Sequence, residues 1–208
     1  PLSRGTMMMM MMMMMMVVVV VEGRVGVDVS SSVSKSEFEC LQQPGMFFFF
    51  SIFRSQCMRF TNPRKGGQGK IEFAIVRAYR STGSVDPNAA ATIIAANEAG
   101  INHVDAYLFP CVPCGDGAGQ VKTTNDALKS AGANYGMLWL DIERYKWGSS
   151  KSDNQAFIRD MIDEAENLGI NTGIYAGYYS WDEIVGLDWS YPHSKNLPLW
   201  YAHYDNDP

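Results

Sequence analysis

From Phe73 onward, short apolar runs alternate with helix-forming segments, and no other feature limits the fold so strongly. Phe73–Tyr79, His103–Phe109, Asn134–Arg144, Asn171–Tyr178 and Pro198–Tyr204 read as strands, and Arg24–Ser30 as an earlier one. Between them, Ser34–Leu41, Asp86–Ala99, Gln120–Ser130 and Lys151–Leu168 read as helices, with Trp181–Val185 as a helical turn. Serines follow the first strand as N-cap candidates, Pro87 sits in a first helical turn, and Gly100 and Gly169 stand as stops. Phe157, Met161, Ile162 and Ala165 mark the buried stripe of the longest helix. Six strands alternating with helices predict an α/β fold, a parallel sheet that is open or closed as a TIM-like (β/α)-barrel.

Met137–Tyr145 stands out among the strands because it ends in charge. Side chains alternate along a strand. Trp139, Asp141 and Glu143 therefore share one face, and Leu138, Leu140 and Ile142 take the other. Two neighbouring carboxylates repel when both are ionised, so one keeps a proton near neutrality. A protonated acid beside an ionised partner is what glycoside hydrolysis requires. The polar residues Asp28, Arg77, Asp105, Tyr107 and Tyr175 also fall toward strand ends, which converge on one mouth in a barrel.

Composition narrows the chemistry. A net charge of −5 argues against a nucleic-acid partner. An aromatic content of 12% suits a carbohydrate platform as well as an ordinary core. No Gly-rich dinucleotide or phosphate loop follows a strand, and no cofactor is expected. Cys111-Val-Pro-Cys114 is open to a redox, half-zinc or disulfide reading. No second pair or His cluster completes a zinc site, and Pro113 and Gly115 make the motif a loop. A local Cys111–Cys114 disulfide in an oxidising compartment is the favoured reading, with Cys40 left over. His103 and His203 lack a ligand cluster and read as structural, and no metal is expected.

Two stretches lie outside the pattern. Pro1–Val21 contains a Met run and a Val run. It reads as signal-like or artefactual, too short for a stable membrane span, and outside the fold. Met46–Gly69 shows no helix or strand period and contains four consecutive Phe. It reads as an insertion or translation artefact lying outside a single catalytic domain over residues 22–208, and no disulfide is expected on Cys57.

Five motifs in order carry a resemblance: Gly-Val-Asp28-Val-Ser, Phe-Ala-Ile-Val-Arg77-Ala-Tyr, Leu-Trp-Leu-Asp141-Ile-Glu143, Gly-Ile-Tyr175 and Leu-Trp200-Tyr-Ala-His-Tyr. Together they resemble family-25 glycoside hydrolases, lysozymes that cut the β-1,4 bond between N-acetylmuramic acid and N-acetylglucosamine. Tyr-Leu-Phe-Pro-Cys-x-x-Cys-Gly is similar to the invertebrate and protist branch. The resemblance implies an irregular (β/α)-barrel acting on bacterial cell-wall peptidoglycan. It also implies a monomer, secreted or lysosomal/phagosomal, with an antibacterial role in innate immunity.

By the same resemblance, Glu143 is the general acid. Asp141 stays ionised, as transition-state stabiliser or as the holder of the substrate's N-acetyl group. Asp28 assists. Arg77, Asp105, Tyr107, Tyr175 and Trp200 are candidate substrate contacts. The family's last-strand acidic residue has no counterpart, since Asp205 and Asp207 follow the sixth strand directly. The final strands of the family fold are therefore expected to be missing. A family-18 chitinase-like enzyme and a catalytically impaired glycan-binding paralogue are the alternatives.

Overall fold

The computed structural model describes residues 16–21, 24–43, 46–51, 54–59 and 71–202. The strands are β1 (Met16–Val21), β2 (Arg24–Val29), β3 (Met46–Ser51), β4 (Arg54–Arg59), β5 (Phe73–Arg80), β6 (Ser84–Val85), β7 (His103–Leu108), β8 (Leu138–Asp141), β9 (Thr172–Ala176) and β10 (Leu199–Tyr201). The helices are α1 (Lys35–Leu41), α2 (Ala89–Glu98), α3 (Gly117–Ser130), α4 (Lys151–Asn167), α5 (Tyr178–Ile184) and α6 (Tyr191–Ser194). The main sheet runs β1-β2-β5-β7-β8-β9-β10, with β6 on β5. From β2 to β10 neighbouring strands on this path are parallel. The result is a curled parallel sheet with helices outside, the TIM-like α/β architecture expected.

Alternation builds its two faces. Val27, Val29, Ala74, Val76, Val104, Ala106, Leu108, Leu138, Leu140, Ile174 and Ala176 are all buried. They meet Phe38 of α1, Ile93 of α2, Val121 and Leu128 of α3, and Ile158, Met161 and Ile162 of α4 in one core. The inward face carries Asp28, Arg77, Asp105, Tyr107, Trp139, Asp141, Tyr175 and Trp200 by the same period of two. Here Cα register sets three rows. Asp28, Ile75 and Asp105 form the first; Arg77, Tyr107, Trp139 and Gly173 the second; Asp141, Tyr175 and Trp200 the third. Asp28 and Asp141 lie in different rows yet feel each other electrostatically. Strand tilt in a curling sheet brings such rows to similar height.

Local signals explain the element ends. Ser34 and Glu37 form a full capping box on α1. Asp116 caps α3 and Ser150 caps α4 through their side chains. Because Asp116 provides that cap, α3 starts at Gly117, three residues before the expected Gln120. Asp86 does not open α2. Its Oδ1 accepts the amide of Asn88 in a turn, and the helix begins at Ala89. In α4, Asn154, Ile158, Met161, Ile162 and Ala165 are buried, whereas Phe157 is half-buried against Trp147.

Three expectations need correction. Met16–Val21, read as outside the fold, pairs antiparallel with β2 along its whole length. A Val-rich run has high strand propensity and can complete a sheet edge without any alternation of its own. Met46–Gly69, read as without a strand period, contains an antiparallel pair, β3 with β4, forming a separate two-stranded sheet. Backbone pairing there does not need an amphipathic pattern. Cys40, expected to be left over, is disulfide-bonded. The side chains of Phe47–Phe50 and Cys57, and residues His203, Asp205 and Asp207, lie outside the described residues.

Gly173 shows how tightly the concave floor is packed. A Cβ there would lie 2.5 Å from the Trp139 ring and 3.0 Å from the Pro198 carbonyl oxygen. Gly173→Ala is expected to destabilise the protein by about 1–3 kcal/mol through overpacking. Denaturant unfolding checks this: an unchanged midpoint would show that Trp139 does not rest on Gly173.

Candidate active site

Three carboxylates define the site. Asp28 lies on β2, Asp141 ends β8, and Glu143 follows two residues later. Leu138, Leu140 and Ile142 are fully buried on the outward side, which turns Trp139, Asp141 and Glu143 inward. Burial drives the acidity of all three. The Asp28 carboxyl is pushed from its ordinary 3.8 to about 7, chiefly by burial, with Glu143 adding and Arg77 and the Val29 amide opposing. Burial holds Asp141 well above the usual carboxylate range, reinforced by the charges of Glu143 and Asp28. Glu143 is raised by burial alone.

The ionised state that the resemblance implies for Asp141 is therefore opposed by its surroundings. Only 6% of its surface is exposed, so the environment favours its protonated form. Asp28 Oδ1 and Asp141 Oδ1 are buried without a hydrogen-bond partner. Buried acceptors of this kind are costly unless they carry a proton or receive a donor from a ligand.

The other expected contacts have mixed fates. Arg77 is braced away from the carboxylates. Its Nε donates to Asp86 Oδ2 at 2.9 Å and its terminal nitrogen to the Ser30 carbonyl at 2.8 Å. Asp86 is buried, so this is a fixed pair and not a surface bridge. Arg77 still reaches Asp28 through its field. Both oxygens of Asp105 serve the scaffold: Oδ1 accepts the Met137 amide and Oδ2 accepts Trp139 Nε1, each at 3.0 Å. Burial raises the Asp105 carboxyl, while these two bonds and His103 hold it down. Tyr107 is pushed well above the ordinary phenol range, first by burial and then by Asp28. Trp200 packs edge-on against Tyr175 at 4.6 Å and Trp139 at 5.8 Å between ring centres. Tyr175 and Trp200 thus form the floor with Trp139.

An open cleft meets the acidic cluster at Glu143. It encloses about 700 Å³ and is lined by Phe109, Glu143, Arg144, Tyr145, Gly177, Tyr178, Tyr179, Ser180, Tyr201 and Ala202. Of the three carboxylates only Glu143 is on its wall; Asp28 and Asp141 sit deeper. Its aromatic lining differs from the expected set. Tyr178, Tyr179 and Tyr201 are 51%, 74% and 49% exposed. The Tyr178-Tyr179 pair just after β9 was the available sequence signal for this lining, since aromatics at a strand's C-terminal end fall at the mouth. Cys111 and Cys114 are bonded to each other in the loop after β7, as expected. Among the described residues no group of three His, Cys, Asp or Glu is arranged to hold a metal ion. No helix among them is long and apolar enough to cross a membrane.

A curled parallel sheet with an acidic cluster at its mouth defines a glycosidase-type site, and comparison with known proteins supplies the family. The family model described as Lysozyme-like protein 1 matches residues 65–208. A Dictyostelium discoideum protein named "Probable GH family 25 lysozyme 2" is 39% identical over 183 residues, covering 88% of this chain and 73% of that one. The catalytic domain of an endolysin from a Listeria monocytogenes bacteriophage superposes with a TM-score of 0.53 at 19% identity, covering 91% of this chain and 75% of the other. The modular autolysin LytC of Streptococcus pneumoniae, solved with a synthetic peptidoglycan ligand, gives 0.54 at 19% identity, covering 66% and 33%. The chain belongs to the family-25 glycoside hydrolase lysozymes, a family of hydrolases. The family-18 alternative is set aside by this match.

The Asp28 carboxyl gives a pH test. Its raised pKa means that between about pH 4 and pH 7 the folded protein binds more protons than the unfolded chain. That contribution to stability is present at low pH and is lost as pH rises through 7. Asp28→Asn is therefore expected to be more stable than wild type at pH 8, by about 2–4 kcal/mol, with the gap closing near pH 4. Urea unfolding across that range checks it; a pH-independent gap would contradict the burial account.

Proposed function

We propose that the protein cleaves the β-1,4 bond between N-acetylmuramic acid and N-acetylglucosamine in bacterial peptidoglycan, with Glu143 as general acid. The observation that carries this reading is that Glu143 alone of the three coupled carboxylates lines the aromatic cleft. It can therefore meet a glycan, and burial shifts its carboxyl toward the protonated form that a general acid needs. The lysozyme name of the Dictyostelium relative and the peptidoglycan ligand of the autolysin support the choice of substrate.

In this mechanism the Glu143 proton passes to the glycosidic oxygen as the bond to the anomeric carbon breaks, and the bonding electrons leave with that oxygen. Positive charge then develops at the anomeric carbon. Asp141, with an unpartnered buried oxygen, passes its proton to the Asp28 carboxylate as that charge develops, then offsets the charge or holds the N-acetyl group, and takes the proton back when the cycle closes. Water completes the hydrolysis and its proton returns to Glu143. Asp28 takes part in the shared proton inventory. The Cys111–Cys114 bond and the bonded Cys40 support a secreted or lysosomal/phagosomal location, in which wall hydrolysis serves antibacterial defence by a monomer.

Glu143→Gln is expected to lower wall lysis by at least ~100-fold with unchanged folding. Release of reducing ends from purified peptidoglycan, with chitin in parallel, checks this. Full activity in a well-folded variant would remove Glu143 from its role. Preference for chitin would overturn the substrate, and wild-type binding without product would mark a glycan-binding protein.

A further inference from the structure

The cleft carries a feature that bond cleavage does not use. Glu143 and Arg144 are the charged groups among the described residues on its wall. Arg144 meets Glu183 of α5 at 3.4 Å, and both side chains are more than half exposed. A pair this long and this wet contributes little, so the guanidinium can change partner at small cost. Two residues on, the Lys146 ammonium lies 5.2 Å from the centre of the Tyr145 ring. Tyr145 is itself on the cleft wall, packed on Phe109 at 5.4 Å. Lys146 has a φ of 56°, a backbone state rare for a residue with a side chain. The loop after β8 therefore carries two cations flanking Tyr145 in sequence, Arg144 on the cleft wall beside Glu143 and Lys146 against the Tyr145 ring, in a chain whose net charge is −5.

We infer that Arg144 and Lys146 form a cationic lip that recognises a carboxylate on the glycan beside the scissile bond, and so select muramoyl strands over neutral ones. This rests on the proposed function and deepens it. A neutral N-acetylglucosamine polymer offers these cations nothing. A muramoyl residue carries a lactyl ether ending in a carboxylate, which is free or extended by an acidic stem peptide. Arg144 matches such a group with a two-pronged donor, and Lys146 adds a point charge. Tyr145 between them presents a flat apolar surface to the sugar.

The test uses three soluble wall-glycan oligomers: one with free lactyl carboxylates, one with stem peptides retained, and one with the lactyl carboxylates amidated. Affinity is read by tryptophan fluorescence, and KM and kcat by reducing-end release, for wild type, Arg144→Gln and Lys146→Gln. Each variant is expected to raise Kd and KM roughly five- to tenfold on a carboxylated oligomer, with kcat little changed and the amidated oligomer unaffected. A loss confined to the free-lactyl oligomer assigns the lip to that carboxylate; a loss confined to the stem-bearing oligomer assigns it to the peptide. Equal losses on carboxylated and amidated oligomers, or no loss on any, would overturn the inference. Carboxylate-selective binding without cleavage would leave the lip standing and remove the hydrolase reading. Absence of wild-type binding to all three would remove both.

Discussion

The structure depends on carboxylates buried on the concave face of a parallel sheet. The same alternation that puts Leu138, Leu140 and Ile142 under the helices turns Asp141 and Glu143 away from them. Asp141 cannot return to water without pulling its strand neighbours out of the core. Its burial is therefore imposed by the apolar residues beside it in the chain. A charged carboxylate in such a place is costly, and the protein meets the cost by holding protons. Burial thus shifts all three carboxyls toward their protonated forms.

The surrounding groups keep the cluster in that state. Arg77 could neutralise Asp28, but Asp86 and the Ser30 carbonyl hold its guanidinium to one side. It moderates Asp28 without pairing with it, and Asp28 still sits near 7. Below, Asp105 fixes the Trp139 indole, Gly173 leaves room for that ring, and Trp200 and Tyr175 pack edge-on to it. This floor is closely packed and largely aromatic, which lowers the polarity around Asp141. At the mouth, Tyr178 and Tyr179 stand exposed on the cleft wall. One sheet face thus supplies a dry base and a wet rim.

Much of this was legible in the sequence because it depends on local pattern. A period of two assigns the inward face of β8, and the capping box of Ser34 and Glu37 marks where α1 begins. The family motifs pointed to Asp28, Asp141 and Glu143. What could not be read depends on contacts between distant segments. Asp86 looked like a helix opener because its partner Arg77 belongs to the preceding strand. Asp105 looked like a cleft residue because nothing local shows that Trp139, 34 residues later, takes its oxygen. Asp141 was read as ionised from the family resemblance, and the depth of burial that opposes this is not visible in sequence. Runs of Val and of Phe have no period to read, so their backbone pairing was missed as well.

The central claim is that burial, more than charge pairing, sets the protonation of the acidic cluster. Carbon-detected NMR titration of the Asp and Glu side-chain carboxyls in the intact protein tests it directly. The account predicts that Asp28 titrates near pH 7, that Asp141 titrates well above the ordinary carboxylate range, and that Glu143 is also raised. Titration of all three near pH 4, as for solvated carboxylates, would contradict it.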